Sequence, residues 1–232
     1  MLKVAVSYHV SFGLSLNIID IEPAFTLGDR QARKLEILET LTTKNIINKN
    51  KSLVMPEDFT SVAVITSITA AGKGDFFEEA DKLQGLGLCK FDIYEAKMQG
   101  QDCAVSVSKA FDKIAVKSDK YDAIVLIRGG GSQADLDWFN NIVPAESVCN
   151  SEIPVMVGIG HERDSTVLDE ICSKSFDTPS KVINYIANTI TDNATNAKYN
   201  YEAIVSVTKN LARQTNSNLE NIYKDLADEF VP

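Results

Sequence analysis

The sequence predicts an α/β fold: a mostly parallel sheet with flanking helices, a small N-terminal β-hairpin and a long C-terminal helical extension. Three observations predict it. Between "SVAVITS" and "IPVMVGIG", short β-branched runs alternate with helix-patterned stretches, the rhythm of strand–helix–strand units. Several of those runs are apolar throughout, as strands covered on both faces are. After Pro179 the apolar residues recur mostly every three or four positions, the period of a helix face. The expected division is a hairpin over residues 1–24, an α/β core over 25–180 and a helical extension over 181–232.

The elements follow in order. "KVAVSYHV" and "LSLNIIDIEP" flank the turn-prone "SFG" and read as a hairpin. A helix is expected from about Asp29 to Ile47, with Leu35, Leu38, Leu41 and Ile46 among its apolar positions. "NKNKSLVMPEDF" is a polar connector. "SVAVITS" is a strand, roughly Asp75 to Leu86 a helix, and "CKFDIYEAKM" a second strand. "GQDCAVSVSKAFDKIAV" holds a helix with Ala104, Val107, Ala110, Phe111 and Ile114 on one side. "YDAIVLI" is a strand ending at Arg128, "SQADLDWFN" opens another helix, and "IPVMVGIG" is the fourth strand. This order gives a Rossmann-like sheet with right-handed crossovers, whose ligands bind beyond the carboxyl ends of the strands. In the extension, Ile183, Ile186, Ile190, Ala194, Ala197, Tyr201, Ile204, Leu211, Ile222 and Leu226 carry the stripe, interrupted by Thr208 and Thr215. One long helix or a helix pair fits it, either in a coiled coil or packed on its own domain.

Composition narrows the class. Of 232 residues, 44% are hydrophobic and 24% charged, which is ordinary for a globular protein. No stretch reaches the ~18 apolar residues of a membrane span, and "MLKVAVSYHV" lacks a signal-peptide layout. The expectation is a cytoplasmic protein without a membrane partner. Cys89, Cys103, Cys149 and Cys172 have no metal-knuckle or CxxC spacing and read as buried, reduced thiols. No metal site is assigned. The net charge of −9 argues against a general nucleic-acid binder. From Gly28 to Lys51, however, Arg30, Arg33, Lys34, Lys44, Lys49 and Lys51 face only Asp29, Glu36 and Glu39. That balance fits a local basic groove or a solvated helix face.

Three strands end in chemically rich turns, "TSITAAGKGD", "RGGGS" and "GIGHERD". All three are expected at one edge of the sheet, whereas the strand ending near Lys97 and Gln99 has no such set. In "RGGGSQADL", Ser132 reads as an N-cap with Asp135 three residues on. Gly129, Gly130 and Gly131 would let backbone amides approach a phosphate, and Arg128 would add a guanidinium. A tight turn with Arg128 in a salt bridge is the alternative. In "GIGHERD", Gly158 and Gly160 loosen the strand exit, and Glu162 and Asp164 flank His161. A carboxylate beside imidazole suits general acid–base work near neutral pH. Alternatively, Asp164 or Ser165 caps the next helix and His161 is incidental. His9, in the hairpin, has no such company and reads as structural. In "TSITAAGKGD", Thr66, Ser67 and Thr69 offer hydroxyls and Asp75 a carboxylate, but the Walker A spacing is missing. Together these turns form an inventory for attack on a phosphorus centre.

"IRGGGSQADLDWFN", "GIGHERDSTVLDE" and "DTPS" closely resemble the core of the exodeoxyribonuclease VII large subunit family. The matching positions are Arg128 to Ser132, Asp135, Leu136, Phe139, Asn140, Gly160, His161, Glu162, Asp164, Thr166, Asp169, Thr178, Pro179 and Ser180. Thr66, Ser67, Thr69 and Asp75 match the family's first turn, and "LSLNIIDIEP" the last strand of its N-terminal OB-fold, of which the hairpin is then a remnant. Ile68 and Ala70 stand where the family has proline and glycine, and Trp138 falls one place later, on a different helical face. The resemblance implies cleavage of single-stranded DNA into short oligonucleotides, with functional roles for Asp75, Arg128, His161 and Asp164. It implies no obligatory cofactor, with Mg²⁺ optional, and a helical extension that engages the family's small subunits. Two other readings stand beside it. One is a non-hydrolytic phosphate or nucleotide binder using the same glycines. The other is a catalytically silent assembly module forming a homo-oligomer through the C-terminal helix.

Overall fold

A computed structural model describes residues 2–9, 13–21, 23–67, 74–129, 133–159 and 165–230. The chain divides into two compact units, Met1–Ile186 and Ala187–Pro232. The first opens with strands β1 (Leu2–His9) and β2 (Gly13–Ile21). They pair antiparallel, as the sequence predicts, with a register irregularity between Lys3 and Val4. Ser7 faces Ser15 across the pair, and their hydroxyls meet at 2.7 Å.

Helix α1 (Pro23–Thr43) starts and stops earlier than its apolar pattern suggests. Proline is suited to the first helical position, where its missing N–H has no intrahelical partner. The stop is set by Asn45, whose φ of 55° is left-handed. Asn45 N–H bonds Thr42 O and Ile46 N–H bonds Leu41 O, the paired contacts that close a helix end. The connector that follows is polar but not loose, because Asn50 is fully buried. Its Nδ2 donates to Ser151 O and Ile153 O, while its Oδ1 accepts from the Val155 and Ser173 amides.

The α/β rhythm then appears as β3 (Ser61–Thr66), α2 (Asp75–Gly85), β4 (Lys90–Glu95), α3 (Cys103–Ala115) and β5 (Ala123–Ile127). It continues through α4 (Ile142–Asn150), β6 (Val155–Gly158), α5 (Val167–Ile171), β7 (Lys174–Ser175) and α6 (Pro179–Phe230). Five strands form one sheet in the order β4-β3-β5-β6-β7, every pair parallel. The fifth strand, β7, is too short to announce itself in the sequence. Alternation within the strands separates two covered faces. Ala63, Ile65, Ile124, Leu126, Val155 and Val157 join a core with α1, α3, α4 and α5, into which α3 sends Val107, Phe111 and Ile114. Val62, Val64, Val125, Ile127 and Met156 are buried on the other face. There Phe76 of α2 meets Phe91 of β4 edge to face, and Val182 of α6 closes over Gly158.

One element differs in kind. The sequence predicts an α-helix opening at "SQADLDWFN", capped by Ser132 and Asp135. The chain instead forms a 3₁₀ segment, Gln133–Phe139, and α4 begins only at Ile142. In a 3₁₀ turn residues i and i+3 eclipse. Leu136 and Phe139 therefore point inward together, while Trp138 is 37% exposed. The cap of α4 is Asn141, whose side chain accepts from the Val143 amide at 2.9 Å.

All four cysteines are buried and free. No helix among the described residues is long and apolar enough to cross a membrane. The second unit lies within α6, a single continuous helix rather than a pair. Tyr201, Ile204, Leu211, Ile222 and Leu226 of its stripe are exposed.

Candidate active site

The site is organised by three neighbouring strand ends. In the parallel sheet Ile65, Leu126 and Val157 stand in one cross-strand row. The stretches following β3, β5 and β6 consequently leave the sheet side by side and on the same edge. Adjacent strands are ~5 Å apart, so the three exits span roughly 10 Å. The strand order also reverses here: from β3 the chain goes to β4 on one side, then to β5 on the other. A crevice outside such a reversal is the binding place of open α/β sheets. The fourth motif-poor strand, β4, lies at the sheet's edge, away from β5 and β6.

At the first exit Thr66 is buried and Ser67 half-buried. Thr69 lies outside the described residues. Asp75 is the first residue of α2, directly after Gly74, and only its backbone is described.

Arg128 directly follows β5 and is 8% exposed. Its Nη2 lies 3.2 Å from Asp135 Oδ2. Asp135 thus pairs with the guanidinium; Ser132, its partner in the expected capping box, lies outside the described residues. The salt bridge offered by the sequence as an alternative is present. Guanidinium stays protonated even when buried, so a fixed positive charge stands at the carboxyl end of the central strand. It is felt at Cys103 in the first turn of α3: burial pushes that thiol up to about 11, and Arg128 opposes the rise. Gly129 is half-buried, while Gly130, Gly131 and Ser132 lie outside the described residues.

His161 and Asp164, with Gly160 and Glu162, also lie outside the described residues. Both flanks of that segment are described. On its amino side Gly158 is an in-strand residue packed against a helix, not a flexible exit. A Cβ there would meet Val182 Cγ2 at 2.6 Å. On its carboxyl side Thr166 is buried and is the N-cap of α5, so neither Asp164 nor Ser165 has that role. The Thr166 amide and hydroxyl both donate to Asp169 Oδ2, at 2.7 and 2.8 Å. Asp169 Oδ1 accepts from Ser175 Oγ of β7. Asn140, after the 3₁₀ segment, accepts from the Val167 amide at 2.9 Å. It therefore ties the second stretch to the third.

Cations of α1, and Lys44 just after it, are drawn into ion pairs with the α/β core, which sequence reading missed. Arg30 pairs with Asp137, Lys34 with Glu170, and Lys44 with Glu146. Half of the six charges read as a groove or a solvated face are thus committed to the protein's own carboxylates. Among the described residues no cluster of His, Cys, Asp or Glu could hold a metal ion.

A model of the exonuclease VII large subunit family matches residues 46–230 of the chain. The exodeoxyribonuclease 7 large subunit of Deinococcus radiodurans is 37% identical over 196 residues, covering 82% of this chain and 46% of that protein. The Campylobacter lari protein of the same name is 35% identical over 166 residues, 69% of this chain and 41% of that one. A Lactobacillus acidophilus relative, again of that name, is 27% identical over 207 residues, 89% of this chain and 45% of its own. The chain spans about half the length of the curated relatives it matches. With the match extending over most of the sheet and its helices, the chain belongs to the exonuclease VII large subunit family.

Proposed function

We propose that the chain is a nuclease core that hydrolyses phosphodiester bonds of single-stranded DNA and releases short oligonucleotides. One observation carries this reading: Arg128, buried and charged, stands at the carboxyl end of β5, between the two other strands whose exits bear the family's motifs. A held guanidinium suits charge building on the non-bridging oxygens of phosphorus, because it needs no reorganisation as the reaction proceeds. Water attacks phosphorus and the bond to one bridging oxygen breaks. His161 moves the proton, taking it from water or delivering it to the leaving oxygen, and Asp164 orients the imidazole. Gly129, Gly130, Gly131 and Ser132 hold phosphate through backbone amides, joined by Thr66, Ser67 and Thr69. Asp75, at the amino end of α2, supplies the first stretch's carboxylate.

Family membership supports single-stranded DNA as substrate and the small subunit as partner. The exposed apolar stripe of α6 supports assembly on that helix, with the small subunit or with a second copy. Buried reduced thiols fit a cytoplasmic location.

The test is digestion of end-labelled single-stranded DNA, with and without the small subunit, by the wild type, Arg128→Ala and His161→Ala. Each variant should lose at least ~100-fold in rate, the usual effect of removing a positioned acid–base or charge-stabilising group. A wild type as inert as both variants under every condition rejects a nuclease. Nucleotide-induced thermal stabilisation in that case would assign the same glycines to binding alone.

A further inference from the structure

Arg30 and Lys34 are four residues apart, so they share one face of α1. Ile37 and Leu41 continue that stripe and are buried in the core, which anchors the helix below its two cations. Arg30 Nε lies 2.5 Å from Asp137 Oδ2. Asp137 belongs to the 3₁₀ segment that follows the glycine stretch. Lys34 Nζ lies 2.5 Å from Glu170 Oε1 of α5. It also donates to Ser165 Oγ at 2.8 Å and to Ser165 O at 3.1 Å. Ser165 is the residue immediately after Asp164. The Lys34 side chain is 14% exposed, so its ammonium is largely removed from water and occupied by three oxygens.

Each cation therefore holds the exit of a different proposed functional stretch, and both stand on one rigid helix. Resting on the nuclease reading above, we infer that α1 is a brace. Arg30 and Lys34 tie the 3₁₀ segment that follows the glycine stretch and the start of α5 that follows the His161 stretch to one helix, and both are positioning residues that do not touch DNA. A displacement of about 1 Å between reacting groups can cost on the order of 100-fold in rate. The brace acts where such displacement would arise, because the two stretches come from separate strands. Asn140 links them through one backbone amide; α1 adds two ion pairs, of which the Lys34 one is joined by hydrogen bonds to Ser165.

The experiment uses the full chain, with Arg30→Met, Lys34→Met and the exchanged pair Arg30→Asp with Asp137→Arg. Methionine retains an unbranched apolar stem, so packing along α1 is largely kept. Amide hydrogen exchange over residues 165–171 should accelerate about tenfold in Lys34→Met, and over residues 133–139 about threefold in Arg30→Met. Amides of β3 and β5 should keep wild-type protection. On single-stranded DNA both methionine variants should lower kcat, with KM and the salt dependence of binding unchanged, and the exchanged pair should recover both protection and kcat. Unchanged exchange in both segments overturns the brace. So does a raised KM with a shallower salt slope at constant kcat, which would make these cations DNA ligands. If the wild type cleaves nothing, the nuclease reading fails while the exchange arm still decides whether α1 braces the two stretches.

Discussion

Gly158→Ala should destabilise the fold, and Val182→Ala should relieve part of the damage. Gly158 closes β6 just ahead of the His161 stretch. A Cβ at this position would lie 2.6 Å from Val182 Cγ2, 3.2 Å from Ile127 Cγ2 and 3.2 Å from Thr178 O. Carbon atoms settle at about 3.5–4.0 Å, so the contact with Val182 is short by about 1 Å. Val182 is fully buried and Ile127 nearly so, which leaves neither side chain space to swing into. Overpacking of this kind costs about 1–3 kcal/mol. A contact short by about 1 Å puts the cost at the upper end of that range, about 2–3 kcal/mol; alanine recovers up to about 1 kcal/mol of backbone entropy relative to glycine, giving a net loss of about 1–2 kcal/mol. Val182→Ala alone removes two buried methyl groups and should cost about 2 kcal/mol. The double variant should then be more stable than the sum of the singles by about 1 kcal/mol or more, because the offending methyl is gone. Urea unfolding followed through Trp138, the only tryptophan, reads these differences as midpoint shifts at constant slope. A neutral Gly158→Ala, or a double variant additive within about 0.5 kcal/mol, would refute the close-packing account.

Three further outcomes are expected. Asn50→Ala orphans the Ser173 and Val155 amides and the Ile153 carbonyl; it should lower stability by about 2–4 kcal/mol in the same urea assay. Asp92 is held below the ordinary carboxylate range by Lys120 and then by Tyr121, so its contribution is full above about pH 4 and fades as pH falls through the lowered value. Wild type should exceed Asp92→Asn at pH 7 by under about 1 kcal/mol, and the gap should close toward pH 2; a gap that widens in acid contradicts the pairing. Burial pushes Cys89 and Cys172 up to about 12 and Cys149 up to about 11. Iodoacetamide at pH 8 should therefore leave the native protein unlabelled and modify all four thiols after denaturation.

Legibility in the sequence followed the range of the interactions. The stripe of α3 was readable because burial repeats along one helix, and the parallel strands because both faces are covered. The 3₁₀ segment was not. Leu136 and Phe139 are three apart, a spacing that suits periods of 3.0 and 3.6 equally, so two inward residues cannot choose between them. Asn50 looked like part of a polar linker because its partners lie about a hundred residues downstream. The same holds for Lys34, whose contact with Ser165 spans 131 positions. Spacing of four between Arg30 and Lys34 was visible; the carboxylates that claim them were not.

The sharpest instance is a spacing that occurs twice, with a different partner described at each place. Ser132 and Asp135 have the same separation as Thr166 and Asp169. At α5 the carboxylate turns back to the Thr166 amide and hydroxyl. At the glycine stretch Asp135 meets the Arg128 guanidinium. The described contact to Asp135 runs through Nη2. Fixing the side chain through that contact is also the condition under which its charge stabilises a transition state without first having to move.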